Sequence, residues 1–366
     1  RRNGIDHLRT REFLQGCRIY KGVKNGKPLL DWKQLDAVID WAVRGQKFIL
    51  TTTIESTPNQ IATIKKNNYV HANRSTPEDF KLWGKIVQSL VQHWIDRYGL
   101  ETVKQWIFEC WNEPCSEHYY KGTKSDFLKI FDQYINAFAA IDKSNNCRLR
   151  TGSISGVNNS PFFKMVFNHL KKEGKLNRVN PVSMHAYSGF VNSFDSLRDG
   201  IVQMEKTMHS YKELKGADLI ITEYHGASMG HPGRDSHVAA AFNVKANRVF
   251  LDTNVLRGYF FSPVDYQHRN KKKYFNGGSG AFTKNGIPKP AFNSMILLNK
   301  LHEGKRLPLK SSNEPIDGIA VIKDNSLRIL LTSFDEMHMD KAVMTKVNLK
   351  INWPGMPSNL KCMLSK

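Results

Sequence analysis

A repeated rhythm constrains this chain most: short apolar runs, each followed by a longer stretch whose apolar residues fall at helical spacing. Strands are expected at 5–10, 47–52, 105–110, 148–152, 181–185, 217–223 and 257–262. Helices fit between and after them, at 32–44, 77–98, 124–142, 161–172, 193–212, 236–253 and 289–302. In the first of these helices Trp32, Leu35, Val38, Ile39 and Ala42 share one face. The helix at 77–98 opens T-P-E-D, with Thr76 as cap and Pro77 in first position, and stops at Gly99. Strands alternating with helices pair in parallel, and this many units imply a (β/α)8 TIM barrel, an α/β fold of about 250 residues. One strand of the eight is lacking and would precede residue 5. An open barrel would leave bare strand edges beside 5–10, so the chain is expected to be a fragment or to fill the gap with another segment.

After about residue 305 the rhythm changes. Residues 317–323, 326–333 and 343–351 read as successive strands with Asp-Asn and Pro-Gly turns. The expected organisation is a barrel over 1–304 and a partial C-terminal β-sandwich appendage over 305–366.

Composition excludes several classes. Of 366 residues 40% are hydrophobic, which is ordinary for a globular chain and unlike a disordered one. No apolar run approaches the roughly 20 residues of a membrane-spanning helix. The opening RRNGIDHLRT has neither an initiator Met nor a signal-peptide core, so localisation stays open. Five scattered cysteines give no disulfide framework or zinc ribbon and are read as free thiols. The net charge of +21 (54 Lys+Arg against 33 Asp+Glu) is spread over helix faces, and the longest basic run is Lys271-Lys272-Lys273. Without a nucleic-acid-binding motif, this argues against a specific nucleic-acid partner and keeps an acidic carbohydrate in play. Oligomeric state is not legible.

Chemistry concentrates at the C-terminal ends of the expected strands, where such barrels place their active sites. The segment W-I-F-E-C-W-N-E-P (106–114) delivers Asn112 and Glu113 there. Strand alternation puts Glu109 on the same side as Glu113, inside the barrel, where it needs a cation such as Arg9 or Arg150. A second carboxylate, Glu223, ends the strand A-D-L-I-I-T-E. Two glutamates across one cleft are what glycosidic bond cleavage requires, provided one is a protonated acid and the other a carboxylate. His185 and Tyr187 follow another strand and are candidates to bind sugar hydroxyls and to hold a carboxylate ionised. Asp265, Gln267 and His268 in the loop after the last barrel strand are candidate sugar contacts, with Arg269 beside them. Arg9 is the candidate to steady Glu223. His225 and His231 have no spaced ligand set, so neither a metal nor a cofactor is expected.

Over most of residues 5–302 the chain resembles glycoside hydrolase family 39, the β-xylosidase and α-L-iduronidase family of clan A. The resemblance is carried by R-Y-G-L-E-T-V-K-Q-W-I-F-E-C-W-N-E-P (97–114), T-E-Y (222–224) and G-I-P-K-P-A-F (286–292). It implies retaining cleavage of a terminal sugar from an oligo- or polysaccharide, with Glu113 as acid/base, Glu223 as nucleophile and Asn112 on the substrate 2-hydroxyl. His185 matches the histidine after the family's sixth strand. Xylosidases of the family usually have a Trp in the eighth strand, where Tyr259-Phe260-Phe261 stands here. Iduronidase-like members have a Lys where this chain has Tyr187, which favours a neutral, xylose-like sugar. The alternatives are an acidic (uronic-acid or sulfated) glycan as substrate, or a non-catalytic carbohydrate-binding barrel.

Overall fold

The computed structural model describes residues 5–64, 73–157, 161–189, 193–226, 229–265, 274–313, 315–335 and 346–351. Strand β1 (His7–Thr10) leads into a hairpin of β2 (Tyr20–Lys24) and β3 (Lys27–Leu30). Then come β4 (Ile49–Ile54), β5 (Ile107–Asn112), β6 (Arg150–Ser155), β7 (Val182–Ser188), β8 (Leu219–Gly226) and β9 (Val255–Phe260). Leaving the hairpin aside, these pair in parallel as β1-β4-β5-β6 and β7-β8-β9. A bridge between Val157 and His185, with His185 N–H donating to Gly156 O at 2.7 Å, joins the two groups. Among the described residues no strand pairs β9 with β1.

Helices follow these strands because their apolar stripes cover the sheet's outer face. The two longest, Phe80–Tyr98 and Lys124–Ser144, bury Trp83, Trp94, Phe127, Phe131, Tyr134 and Phe138. Gly152 is required at the β5–β6 contact, because a Cβ there would stand 2.4 Å from Phe108 O. A smaller cluster, Leu301, Ile319 and Val321, seats the C-terminal sheet.

Several boundaries differ from the sequence reading. The helix expected from 77 starts at Phe80, capped by Asp79 rather than Thr76. Residues 76–78 are instead drawn into extended pairing, with Thr63 N–H on Thr76 O and Glu78 N–H on Ile61 O. The hairpin β2–β3 was not expected, although Asn25-Gly26 is a strong turn signal and both residues have positive φ (51° and 71°). The C-terminal sheet is β10 (Lys305–Leu307), β11 (Ile316–Lys323) and β12 (Ser326–Ser333), antiparallel in that order. Its third strand therefore precedes the other two. The strand expected at 343–351 is not found over 346–351, whose residues lie exposed without a pairing partner among the described residues, and 343–345 lie outside them. Cys17, Cys110, Cys115 and Cys147 are free thiols, and Cys362 lies outside the described residues.

Candidate active site

The site is assembled around Arg9, whose guanidinium is buried in the middle of the sheet's polar end. Nε donates to Glu109 Oε2 at 2.7 Å and Nη1 to Glu223 Oε1 at 2.6 Å. Nη2 reaches Thr53 Oγ1 (3.0 Å), Asn112 Oδ1 (3.1 Å) and Ser155 Oγ (3.1 Å). Burial works against this charge, but Glu109 and Glu223 outweigh it and raise the Arg9 pKa above the usual arginine value. Burial likewise opposes ionisation of Glu109, and Arg9 outweighs it, so the Glu109 pKa falls below the ordinary one. Arg150, the other candidate partner for Glu109, is turned away and pairs with Asp218 at 2.8 Å.

Strand alternation alone would keep Asn112 and Glu113 from reaching the same cleft. The backbone breaks that alternation: Trp111 has φ 63° and Glu113 φ 47°, both in the left-handed region that side chains with a Cβ rarely adopt. Such conformations cost on the order of 1–3 kcal/mol each and persist only where surroundings over-determine them. Here the Trp111 ring packs on Tyr120 and Phe127, and its Nε1–H donates to Tyr119 O at 3.0 Å. Glu113 N–H donates to Ser155 O at 2.6 Å. Asn112 thereby joins Arg9 while Glu113 reaches His185, with 2.6 Å between Glu113 Oε1 and His185 Nδ1. The far side of that imidazole, Nε2, lies 2.5 Å from Ser155 Oγ.

Glu223 stands beside His185 in the β7–β8 register. Tyr187 donates its hydroxyl to Glu223 Oε2 at 2.5 Å, while Oε1 takes the Arg9 bond. Arg11 Nη1 is a further 3.8 Å from Oε1. Burial favours the neutral acid, but His185, Arg9, the Tyr187 hydroxyl and Arg11 together bring the Glu223 pKa down to about 2. Tyr187 is 37% exposed as a residue while its hydroxyl is tied, and desolvation of that hydroxyl with the Glu223 charge pushes its pKa up. One atom each of Glu113, His185 and Glu223 lie within 4.8 Å of one another. That spacing would suit a cation geometrically, yet Glu223 already holds one guanidinium with a second nearby, and both imidazole nitrogens have partners.

The structure thus brings Arg9, Asn112, Glu113, His185, Tyr187 and Glu223 into one cluster. Asp265 stands apart from it. Its Oδ1 accepts from Gly280 N–H at 2.6 Å and its Oδ2 lies 2.8 Å from Nζ of the fully buried Lys289. Lys289 also pairs with Asp235 at 2.6 Å. A carboxylate so engaged ties the segment after β9 to the helix Pro290–Asn299. Asp265→Ala is therefore expected to destabilise the protein by about 3 kcal/mol, toward the low end for a broken buried pair because Asp235 remains. Urea unfolding reads this; unchanged unfolding with a raised KM would return Asp265 to the substrate. Gln267, His268 and Arg269 lie outside the described residues. Sequence reasoning missed Arg11, Thr53, Glu55 and Ser155. Arg11 was within reach, standing two residues after Arg9 on the same side of an extended strand.

The sequence profile described as "Glycosyl hydrolases family 39" matches residues 1–361. A β-xylosidase of Caldicellulosiruptor saccharolyticus is 23% identical over 316 residues, covering 82% of this chain and 62% of its own length. A β-xylosidase of Geobacillus stearothermophilus is 27% identical over 250 residues, 64% of this chain and 49% of that protein. The chain therefore spans less than two thirds of either relative. The solved structure of a family 39 β-xylosidase from Caulobacter crescentus superposes with a TM-score of 0.71 at 23% identity, covering 89% of this chain and 70% of its own. At that identity the likeness establishes the fold alone, of the βα-barrel type. With a profile match over nearly the whole sequence, the chain belongs to the glycosyl hydrolases of family 39.

Proposed function

We propose that the protein is a retaining glycosidase that removes a terminal, β-xyloside-like sugar from an oligo- or polysaccharide. On this reading the seven parallel strands belong to a (β/α)8-type barrel over 1–304, the place of its eighth strand lying between β9 and β1, with 305–366 as its appendage. The observation that carries the reading is the spacing of the two carboxyls: an oxygen of Glu113 and one of Glu223 lie within 4.8 Å. Retaining enzymes hold their carboxyls about 5–5.5 Å apart, whereas inverting ones need about 6.5–9.5 Å to admit a water.

The roles follow from the surroundings. Glu223, kept ionised by His185, Arg9, Tyr187 and Arg11 against its burial, attacks the anomeric carbon. The C–O bond to the leaving group breaks as Glu113 gives that oxygen its proton, and a covalent glycosyl ester forms on Glu223. Glu113, now a carboxylate, takes a proton from water, whose oxygen displaces Glu223 from the same carbon. Two inversions return the original configuration. Asn112, fixed through Oδ1 by Arg9, keeps its amide NH2 for the sugar 2-hydroxyl. Proton NMR of an aryl β-xyloside digest tests this: β-xylose is expected as the first product, and α-xylose first would overturn the mechanism.

A second reading, an acidic sugar, is favoured by one observation. The Arg11 side chain is 25% exposed within 3.8 Å of Glu223, so a guanidinium is within reach of the same sugar. Turnover of an aryl glucuronide or iduronide without turnover of the xyloside would establish it. A binding module has no need of a close carboxyl pair, which weighs against a non-catalytic barrel.

A further inference from the structure

Glu55 is nearly fully buried in the connection after β4, yet it is a carboxylate with no part in the reaction described above. Its two oxygens are divided between two tasks. Oε1 accepts from Arg11 Nε at 2.7 Å, and Oε2 accepts the backbone N–H of Asn112 at 3.2 Å. That amide lies between Trp111 and Glu113, the two residues whose backbone is in the left-handed region. Arg11 is itself steadied by the face of Tyr119 (5.4 Å), on the turn that follows Glu113, and by Glu12 at 3.7 Å. Its Nη1 is the group 3.8 Å from Glu223.

From this geometry we infer that Glu55 is a positioning residue: its carboxylate, oriented by Arg11, holds the Asn112 amide and so sets the direction in which Glu113 presents its acid. The left-handed turn needs such a tether. Without an acceptor for the Asn112 N–H, Trp111 and Glu113 lose one of the contacts that over-determine their conformation. Glu113 would then swing relative to the glycosidic oxygen while Glu223, held independently by Arg9 and Tyr187, would stay in place. Arg11 adds a second consequence. By bonding Glu55 and standing beside Glu223, it ties the two halves of the site through a group that never touches the scissile bond.

The inference rests on the β-xyloside reading, and its test separates the two. Phenyl β-xyloside needs acid assistance to depart, whereas 2,4-dinitrophenyl β-xyloside does not. Glu55→Ala is expected to lower kcat/KM, which reports the acid-assisted first step, about 10–100-fold on the phenyl substrate, the scale of a misplaced catalytic group, and less than about threefold on the dinitrophenyl one. Glu55→Gln keeps a carbonyl acceptor for the Asn112 amide and is expected to restore most of the phenyl rate. Equal losses on both substrates, or no recovery with Gln, would reduce Glu55 to a merely structural role and overturn the inference. Hydrogen exchange of a peptide spanning 107–116 decides the tether independently of turnover. In Glu55→Ala it should exchange about tenfold faster than wild type, with β7 unchanged, and unchanged exchange at 107–116 overturns the inference. If the wild type turns over neither glycoside, the β-xyloside reading fails while the exchange result still decides whether Glu55 holds the turn.

Discussion

Replacing Glu223 with Gln is expected to abolish turnover, lowering kcat on the order of 10⁵-fold or more on every aryl glycoside whatever its leaving group. Nothing else in the cluster can take its place. Glu109 is committed to Arg9, and Glu55 to Arg11 and the Asn112 amide. The same substitution should change the response to acid. Glu223 has a pKa of about 2 against an ordinary value of 4.5, so folding gains from its ionised form above pH 4.5 and loses that gain as the pH falls through 2. The contribution at neutral pH is on the order of 3 kcal/mol. Urea unfolding of both proteins between pH 7 and pH 2 checks it. The wild type should be the more stable at pH 7, and the two should converge at the acid end. A gap that stays constant with pH would show that Glu223 does not supply this term.

Glu113→Ala should behave differently, because only one of its two tasks depends on the leaving group. Loss of a general acid typically costs about 10²–10⁴-fold, and phenyl β-xyloside should show it. With the dinitrophenyl substrate the first step should survive and the glycosyl-enzyme accumulate, since no base remains to activate water. Azide needs no base, so it should restore turnover and yield β-xylosyl azide. The azide of inverted configuration, or no rescue at all, would remove Glu113 from the acid/base role. His185→Ala should give a milder version of the same pattern, because the imidazole that orients Glu113 would be gone.

The parts of the fold that could be read from sequence are those where apolar periodicity is clean. The helix Pro161–Lys172 falls at the expected bounds, and Lys124–Ser144 starts where expected. Strands β4 to β8 begin one or two residues later than the hydrophobic pattern predicts and end two or three later, whereas β9 begins two earlier, and the first offset has a physical reason. In β4 the apolar Ile49-Leu50 gives way to Thr51-Thr52-Thr53, all buried. β6 ends in Ser153 and Ser155, β7 carries His185 and β8 carries Glu223 and His225. Polar residues at these C-terminal ends face one another inside the sheet, so a reading that follows hydrophobicity stops where the site begins. The glutamates were legible because each ends an apolar run. Glu55 and Ser155 were not, because their partners Arg11 and His185 lie 44 and 30 residues away.

Arg9 has a consequence for how the molecule is made. It leaves the ribosome ahead of both partners: the carboxylate that Nη1 binds follows 214 residues later and the one on Nε 100 residues later. Contacts of such separation form late, after most loop-closure entropy has been lost. Until β8 docks, the guanidinium that will sit at the centre lacks the Glu223 partner that offsets its desolvation. An arrested or truncated chain ending before Glu223 would therefore have Glu109 but not Glu223 to offset the burial of Arg9, a reason for it to stay loose and open to proteolysis. Reactivity and the last stage of consolidation arrive together, in the same ion pair.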